Sequence, residues 1–443
     1  MSVYFTKPGV DAPLSLTVFN ALPIAASNLL GMAFGVIDTL VAAQLGANQL
    51  AVVAIATSIL WLVLAPLINL LNGFGIHLIR AYGAGDVNAC KQALYGSVLT
   101  GLIASLAGAA MLALGFWMYR FGGMEATLLP SVGRYLVYVA PTILALLLTT
   151  ACMQYLRARS TLVPATCIVV LLQPVNYWLN WHAADSMGLG VAGIALSTSI
   201  CKALELVLLM LWIGRDDYFQ TLWRTRWLGL EYHLWRQSFR LGVPAYLHGL
   251  CDVVVFSAAT FTVAAATAQD AAAHQILFVI ACTAYVSFGA WSSAAGITLG
   301  LIYGATSARA ATKLLPKLTI ATLSIAIVGA LFLGLFQEFL LGFFKLDSSV
   351  AALCRRLWPL LCAYLVADII QWFAIEALSA FGDTKRPFLT ALVSWTLPSL
   401  IALAAIWAFG FGLQSVWLVL SVNMWLMTAL LLLQLWWLYY RQV

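Results

Sequence analysis

Mostly apolar stretches of about 20 residues recur along the whole chain, separated by short segments rich in Gly, Pro and charged residues. Each stretch is long enough to cross a hydrocarbon core about 30 Å thick. With Gly, Pro and charge as punctuation, the pattern predicts twelve membrane-spanning helices. They are placed at residues 17–41, 50–72, 93–119, 132–155, 161–182, 189–213, 240–263, 272–300, 314–336, 355–380, 387–409 and 413–439. The predicted fold class is therefore an all-α polytopic membrane protein.

Composition excludes a soluble protein. Of the 443 residues, 63% are hydrophobic and 9% are charged, whereas soluble domains carry roughly 25% charged residues. The eight cysteines show no CxxC spacing and lie mostly inside apolar stretches, so we expect buried reduced thiols without zinc or disulfides. The segment from Met1 to Pro13 lacks a basic region followed by a short apolar core, and we expect no cleaved signal peptide.

Basic residues are unevenly distributed between the two sets of loops. The side that holds both termini carries Lys7, Arg80, Lys91, Arg157, Arg159, Arg215, Arg224, Arg226, Arg236, Arg240, Arg309, Lys313, Lys317, Lys385, Arg386 and Arg441. The other side carries only Arg120, Arg134, Lys345, Arg355 and Arg356. The positive-inside rule then places both termini in the cytoplasm. Because these charges are spread over many short loops, they give no reason to expect nucleic-acid binding.

The chain contains an internal repeat. A shift of 221 residues aligns Pro23 with Pro244, Gly75 with Gly296, and Tyr82-Gly83-Ala84 with Tyr303-Gly304-Ala305, and a shift of 223 aligns Pro164 with Pro387. The repeat predicts two six-helix bundles related by a pseudo-two-fold axis along the membrane normal. The predicted domains are an N-lobe at 1–213, a cytoplasmic linker at 214–239 that includes an interfacial helix, and a C-lobe at 240–443.

Five acidic residues fall inside the predicted spans, namely Asp38, Glu205, Asp252, Asp368 and Glu376. A charge at the bilayer centre costs about 2.5 to 3.5 kcal/mol on insertion scales, so each needs a partner or a function. Glu205 follows Lys202 by three residues and is expected to pair with it. Glu376 lies near the cytoplasmic end of the tenth span. Two alternatives are open for it: the side chain only reaches the membrane interface, or it has a function. Asp38, Asp252 and Asp368 have no Lys or Arg within a helical turn. Such isolated carboxylates are suited to exchanging protons or binding a monovalent cation. The alternative is that each fixes helix packing through hydrogen bonds.

Further polar and aromatic residues within the spans are candidates for a substrate cavity. They are Asn176, Asn180, His248, Gln275, Tyr285, Trp291, Tyr364, Gln371 and Trp372, and Asn423 is a further intramembrane amide. Aromatic rings attract flat lipophilic cations by stacking and cation–π interactions worth on the order of 1 kcal/mol each. The alternatives are that the amides join helices and that the rings face lipid.

Several segments resemble MATE transporters. LPIAASNLLGMAFGVIDTLVAAQLG resembles the first helix of that family, and LGVPAYLHGLCDVVVF followed by DAAAHQI resembles its seventh-helix counterpart. ADIIQWFAIEALSAFGDTKRP is similar to the tenth helix and its loop, and MGLGVAGIALST to the entry of the sixth. The resemblance covers essentially the whole chain. It implies cation-coupled export of amphipathic, mostly cationic organic compounds by alternating access, with no ATP, cofactor or metal centre.

The resemblance also implies roles for individual residues. Asp38 matches the acidic residue of the first helix, Asn176 matches the Asn of the fifth, and Asp252 and Asp368 match the acidic positions of the NorM branch, where Na⁺ is a possible ligand. Two departures are present. Asn180 stands where the DinF branch has an Asp, and Asp252 is one methylene shorter than the usual Glu. The coupling ion, H⁺ or Na⁺, therefore stays open, and the C-terminal half is closer to NorM.

Other functions are weighed against this one. A lipid-linked precursor flippase of the same superfamily would typically have more spans and a basic cavity, and an exporter of one endogenous metabolite is a further alternative. A membrane enzyme is not expected, because the five histidines provide no HExxH or similar spacing. A passive channel would need a filter-like loop, which the sequence lacks. The expected location is a bacterial inner membrane, where the partners are lipid and small organic cations and the fold can act as a monomer.

Overall fold

The computed structural model describes residues 13–121, 128–224, 229–264, 266–344 and 347–442. Within these ranges the regular structure is entirely helical, as expected where lipid offers no hydrogen bonds to the backbone. Each of the twelve predicted spans coincides with one helix or with helices in series, and eleven of these segments are long and apolar enough to cross a membrane. The remaining span, the fifth, is made less apolar by Gln173, Asn176 and Asn180. The predicted all-α polytopic fold is confirmed.

Some residues named in these predictions lie outside the described ranges. The basic residues Lys7, Arg226 and Lys345 and the side chain of Arg120 lie outside the described residues. So do residues 1–12, which make up nearly all of the segment in which no signal peptide is expected.

Two compact units make up the chain, and unit 1 contains Ala26–Tyr246. Its helices are α1 (Pro13–Gln44, from residue 26), α2 (Ala47–Ala84), α3 (Val87–Phe121), α4 (Leu129–Val139), α5 (Pro141–Arg159), α6 (Val163–Trp181), α7 (Val191–Gly214), α8 (Asp217–Arg224) and α9 (Tyr232–Ala264, up to residue 246). Its core is mainly aliphatic and joins α2 to α3, α4, α5 and α7 through residues such as Leu64, Leu71, Ile143 and Leu147.

Unit 2 contains Leu247–Val443 together with the first part of α1, as far as Ala25. Its further helices are α10 (Ala268–Phe288), α11 (Ala290–Ala305), α12 (Ala308–Thr312), α13 (Leu315–Leu335), α14 (Gln337–Gly342), α15 (Ser348–Ala380), α16 (Lys385–Thr390), α17 (Leu397–Phe409) and α18 (Leu413–Gln442). The centre of this unit is α15, which packs on α10, α11, α13 and α18. Its core includes the fully buried rings of Phe373, Trp395 and Trp417.

Four predicted spans contain a break or a local irregularity that the hydropathy pattern did not predict. The fourth span divides at Pro141, which begins α5, and the eighth divides at Gly289. A Cβ at Gly289 would lie 2.3 Å from the Trp372 ring, so the close approach of α15 requires glycine there. The fifth span ends in a π-helical turn (His182–Ser186), and the eleventh contains another (Ala391–Thr396). Such turns interrupt the regular hydrogen-bond ladder and often occur at functional sites.

The sequence repeat extends to a packing contact. In unit 1, Gly75 on α2 lies against Gln154 on α5, and a Cβ at Gly75 would lie 3.1 Å from Gln154 Cγ. In unit 2, Gly296 on α11 lies against Glu376 on α15, and a Cβ there would lie 2.9 Å from Glu376 Cβ. Residues 154 and 376 are separated by 222 positions, between the two repeat shifts found in the sequence. The units therefore use the same glycine contact, with a neutral amide in one and a carboxylate in the other.

Helices α1 and α9 each contribute to both units. The unit assignment changes after Ala25 in α1 and after Tyr246 in α9. Both changes lie two residues after a proline inside the helix, Pro23 and Pro244, which are related by the repeat. A proline inside a helix removes one backbone hydrogen bond and weakens the helix locally. The repeat thus places a weakened turn at the same point of both helices.

The predicted linker is partly helical. Its first part forms α8, and α9 already begins at Tyr232, so the predicted seventh span extends well beyond its expected start at 240. The first turns of α9 pack on α2 of the same unit. A Cβ at Gly73 would lie 2.2 Å from the carbonyl oxygen of Ser238, and one at Gly242 would lie 2.0 Å from that of Leu70. Only glycine allows these two helix backbones to approach so closely.

All eight cysteines are free thiols, as expected from their spacing. The expectation that they are buried is correct for Cys90, Cys201, Cys251 and Cys354 but wrong for Cys167, which is exposed on α6. A thiol behaves as a small apolar group, and α6 carries exposed apolar side chains such as Val170 and Leu171. Hydropathy alone does not distinguish a buried position from such an outward-facing apolar surface.

Candidate ion-coupling and substrate sites

Asp38 is the central polar group of unit 1. It lies near the end of α1 and is only 4% exposed. Asn180 of α6 donates from Nδ2 to Asp38 Oδ1 at 2.7 Å, and Thr198 of α7 donates from Oγ1 to Asp38 Oδ2 at 2.7 Å. Both carboxylate oxygens are thus held by neutral donors from two other helices. Hydrogen bonds to a charged acceptor are stronger than neutral ones and fix its orientation.

The two asparagines of α6 leave polar capacity beside this carboxylate. Asn176 and Asn180 are fully buried and lie one turn apart, with a weak contact of 3.4 Å between them. Asn176 Nδ2 and Asn180 Oδ1 have no hydrogen-bond partner among the described residues. Buried polar atoms without a partner are rare and require an explanation. An oxygen and an amide beside a carboxylate can serve a bound cation or a proton-carrying water.

A buried ion pair lies one helical turn from Asp38. Lys202 Nζ is 2.8 Å from Glu205 Oε2, which confirms the predicted pairing. The Lys202 ammonium also lies 4.0 Å from the centre of the Phe34 ring. Phe34 precedes Asp38 by four residues on α1, and Lys202 follows Thr198 by four residues on α7. The pair is therefore part of the Asp38 surroundings, a connection that residue spacing within a single helix does not predict.

Asp368 is a buried carboxylate at the centre of α15 in unit 2. It is 7% exposed, and its Oδ1 accepts a hydrogen bond of 3.1 Å from Gln371 Nε2 one turn later. Gln371 is itself buried, and its Oε1 has no partner in the described part of the chain. The pair presents carboxylate and amide oxygens together, as a hard monovalent cation requires.

Asp252 on α9 belongs to the same site. Its side chain is 37% exposed, and its Oδ2 lies 3.5 Å from His248 Nδ1, one turn earlier. His248 Nε2 is buried without a partner among the described residues. Asp252 and Asp368 are close enough to interact electrostatically, as are the Tyr364 and Tyr285 side chains with both carboxylates. Unit 2 therefore gathers two carboxylates, one histidine and two tyrosines.

An aromatic pair lies beside these groups. The rings of Tyr285 and Trp372 are stacked with centres 4.2 Å apart and planes inclined by 20°. Trp372 Nε1 donates to Glu376 Oε1 at 3.1 Å, and Ser293 Oγ donates to the same oxygen at 3.3 Å. Both donors to Glu376 are thus neutral, and one of them belongs to the aromatic pair.

Three other predicted polar or aromatic residues have different surroundings. Trp291 is buried and donates from Nε1 to Thr322 Oγ1 at 3.0 Å, and Asn423 donates to Ser399 Oγ at 2.9 Å. Both contacts join neighbouring helices, which is the packing role weighed for Asn423. For Trp291 the alternative was a lipid-facing ring, but its ring is buried. Gln275 is exposed on α10. In the described residues, no group of three or more His, Cys, Asp and Glu side chains is arranged to hold a metal ion.

Thr198 and Ser293 are site residues that the sequence analysis missed. A hydroxyl in an apolar helix usually bonds to the carbonyl four residues earlier, as Ser197 does with Gly193. The available signal was the spacing of four between Thr198 and Lys202, which places both on one face of α7.

The MatE family model matches the chain twice, at residues 23–182 and 244–404. The chain belongs to the MatE family. The two matches begin 221 residues apart, the same register as the internal repeat. Members of this family are transporters, so the protein is a membrane transporter and not an enzyme.

Relatives of this MATE transporter extend over its whole length. The probable multidrug resistance protein NorM of Acinetobacter baylyi is 26% identical over 425 residues and covers 93% of both chains. The NorM protein of Neisseria meningitidis serogroup B is 22% identical over 431 residues and covers 95% of this chain and 93% of its own. Both relatives have the name NorM, and each match extends over more than nine-tenths of this chain.

Solved structures share the fold. The eukaryotic MATE transporter AtDTX14 superposes with a TM-score of 0.85 at 16% identity, covering 98% of this chain and 100% of its own. A MOP superfamily transporter from Pyrococcus furiosus superposes with a TM-score of 0.84 at 15% identity, covering 98% of each chain. The twelve-helix MATE fold is therefore established for this chain.

Proposed function

We propose that this MATE transporter exports amphipathic, mostly cationic organic compounds in exchange for H⁺ or Na⁺ by alternating access. It acts in a bacterial inner membrane with both termini in the cytoplasm. Its relatives are named as multidrug resistance proteins, which supports a broad range of organic substrates.

The arrangement around Asp38 is the main support for ion coupling. The carboxylate is buried among apolar helices, both of its hydrogen bonds come from neutral groups, and the nearby Lys202 ammonium is paired with Glu205. An ionised carboxylate in such a place is costly unless a cation accompanies it. Binding of H⁺ or Na⁺ removes that cost, so the site gains most from an ion when it is sealed from water. An ion can drive transport only through such a difference in affinity between two states.

Unit 2 supplies a second candidate ion site. Asp368 and Gln371 offer oxygens for Na⁺, and the Asp252 carboxylate lies beside the imidazole of His248. Coupling to Na⁺ and coupling to H⁺ would depend on different groups of this site. Na⁺ coupling would depend on the oxygens of both Asp368 and Gln371, whereas H⁺ coupling would depend on the Asp252 and Asp368 carboxylates.

The aromatic pair supports a cationic substrate. Tyr285 stacks on Trp372 and is close enough to Asp252 and Asp368 to interact with both carboxylates. A flat cation on such a face gains about 0.5 to 2 kcal/mol from the cation–π interaction. It also gains from the nearby negative charge. A substrate cation and the coupling ion repel each other, so the two compete for the same negative charge.

Efflux from proteoliposomes tests this function. A fluorescent lipophilic cation is loaded, a pH gradient or a Na⁺ gradient is imposed separately, and wild type is compared with Asp38→Asn and Asp368→Asn. The control is Glu338→Gln. Hydrogen bonds from Arg355 lower the pKa of the exposed Glu338 carboxyl, so this change also removes one negative charge, but outside the spans.

We expect one gradient to drive efflux in wild type and in Glu338→Gln. We expect Asp38→Asn, Asp368→Asn or both to lose the driven component while folded protein is still obtained. Efflux that is independent of both gradients in wild type would contradict ion coupling. Driven efflux that survives in both carboxylate variants would remove these residues from the mechanism.

A further inference from the structure

A buried cation lies beside the candidate ion site of unit 1. Lys202 on α7 is 8% exposed, and Glu205, its partner at 2.8 Å, is 6% exposed. The Lys202 ammonium also lies 4.0 Å from the centre of the Phe34 ring, which belongs to a small apolar cluster between α1, α6 and α7. Ionisable side chains at such depth in a membrane helix are rare and usually mark a function.

Two levels of contact connect α1 with α7. Thr198 of α7 holds Asp38 of α1 at one level, and Lys202 of α7 contacts Phe34 of α1 at the next. On both helices the two positions are four residues apart, which is about 6 Å along the helix axis. Lys202 is close enough to Asp38 for an electrostatic interaction. The ammonium and the carboxylate are therefore about one helical turn apart.

The Lys202 side chain is able to span this distance. Side chains on a helix lean towards its N-terminus, so Lys202 leans towards Thr198 and the carboxylate that Thr198 holds. Its ammonium is a compact charge with three donors on a flexible four-carbon stem. Rotation about the side-chain bonds moves this charge while the backbone of α7 stays in place. One cation can thus serve two carboxylates, Glu205 on one side and Asp38 on the other.

Neutral polar side chains from α4, α5, α6 and α7 also lie around Asp38 and Lys202, since thiols and phenols are uncharged at neutral pH. They are Tyr135, Thr142, Asn176, Asn180, Thr198, Ser199 and Cys201. The titratable side chains of the π-helical turn after α6, His182 and Asp185, are exposed. Among the groups that the structure places around Asp38, Lys202 therefore supplies the positive charge.

We propose that Lys202 is a tethered cation that competes with the coupling ion for Asp38, an inference that rests on the ion coupling proposed above. When H⁺ or Na⁺ occupies the site, Asp38 needs no further cation and Lys202 pairs with Glu205. When the ion leaves, the ammonium moves towards the ionised Asp38 and lies between the two carboxylates. It thereby lowers the cost of the empty site, and it sets the ion concentration at which the site fills.

Fluorine NMR of the full chain in detergent tests the movement directly. Phe34 is replaced by 4-fluorophenylalanine, whose resonance responds to an ammonium near its ring. Spectra are compared between a mildly alkaline buffer without Na⁺ and buffers that supply H⁺ or Na⁺. We expect the resonance to shift with one of these ions, and to stay fixed when Asp38→Asn or Lys202→Gln is added. The same label in place of Phe116 of α3, which packs against Gly133 of α4, is the control.

Driven efflux from proteoliposomes gives a second readout. An opposite charge within about 4 to 6 Å of a carboxylate changes its proton affinity by about tenfold or more. Lys202→Gln should therefore lower the ion concentration for half-maximal driven efflux about tenfold. Glu205→Gln leaves the ammonium to Asp38 alone and should raise that concentration about tenfold. A pair that only fixes helix packing would instead be broken equally by both changes.

Two further variants complete the test. The double variant Lys202→Gln/Glu205→Gln leaves no unpaired charge, so it serves if Lys202→Gln alone does not fold, and it should also lower the half-maximal ion concentration. Arg355→Gln is the matched control, because it removes the cation of an exposed ion pair with Glu338. It should leave the ion dependence unchanged.

The possible failures are distinguishable. A fluorine resonance at position 34 that responds to neither ion, or that still shifts in Asp38→Asn, would overturn the proposal. So would changes of the same sign in Lys202→Gln and Glu205→Gln. Wild-type efflux that is independent of both gradients would refute the ion coupling itself, and the inference with it.

Discussion

Gly73→Ala should destabilise unit 1, whereas alanine at a helical glycine with open space around its Cβ position, such as Gly31, should not. Its new Cβ would lie 2.2 Å from Ser238 O and 2.4 Å from Gly242 N. Carbon and oxygen atoms in contact are normally about 3.3 Å apart or more. Both partners are backbone atoms of α9, so no side chain can rotate away. The start of α9 must move by about 1 Å to admit one methyl group.

The cost follows from what that movement disturbs. Overpacking by one methyl group typically costs about 1 to 3 kcal/mol. The same turns of α9 make two hydrogen bonds to unit 1, from Trp235 Nε1 to Thr100 Oγ1 at 3.0 Å and between His77 Nδ1 and Ser238 Oγ at 2.7 Å. Each is worth about 1 kcal/mol. A loss of about 3 kcal/mol should lower the unfolding temperature by about 6 °C or less, given about 2 °C per kcal/mol in large domains.

The assay is thermal exposure of buried thiols in detergent, followed with a thiol-reactive dye. Cys90 of unit 1 is fully buried and reports unfolding when it becomes reactive. Gly31→Ala on α1 is the matched control, because a Cβ there meets nothing within 4 Å. Alanine is favoured over glycine by about 0.5 to 1 kcal/mol inside a helix, so this control should unfold at the same temperature or slightly higher. Equal unfolding temperatures for Gly73→Ala and wild type would refute the close crossing of α2 and α9.

Three further changes test the candidate sites. Thr198→Val removes a hydrogen-bond donor from Asp38 with little change in volume. It should shift the ion concentration for half-maximal efflux by about tenfold, since a hydrogen bond to a charged group is worth about 1.5 to 3 kcal/mol. An unchanged ion dependence would show that Thr198 does not act on ion binding at Asp38. Gly289→Ala directs a methyl group into the Trp372 ring and should displace it. Binding titrations should then show about fivefold weaker affinity for a flat cation, because a cation–π contact is lost. Equal affinity would exclude the aromatic pair from the substrate site. Glu376→Gln places there the amide that unit 1 has at the related position, so driven efflux should persist in a flux assay, and its complete loss would make this carboxylate a coupling residue.

The sequence was sufficient to predict the helices, because a bilayer imposes a minimum length and an apolar composition on each span. It also predicted the repeat, which the paired family matches at 23–182 and 244–404 confirm. The irregularities within spans were missed. The break at Gly289 depends on the distant Trp372 ring, and hydropathy contains no information about such a contact.

Prediction of the site succeeded in part. The sequence identified Asp38 and Asn180 individually, since a charged or amide group is unusual in an apolar helix. It did not identify Thr198 as the second donor, because hydroxyls are common in membrane helices and usually bond to their own backbone. Nor did it connect Lys202 with Asp38, because proximity across helices depends on how α1 and α7 pack.

The most direct test of the account is the current that accompanies transport. Solid-supported membrane electrophysiology would record charge movement when a neutral amphipathic substrate is added to proteoliposomes with and without an ion gradient. A neutral substrate is used because exchange of one monovalent cation for one H⁺ or Na⁺ moves no net charge. We predict a substrate-induced current in wild type that depends on H⁺ or Na⁺, and its loss when Asp38, Asp252 and Asp368 are all replaced by Asn. A current of wild-type size and ion dependence in that triple variant, with folded protein, would contradict the assignment of ion coupling to these carboxylates.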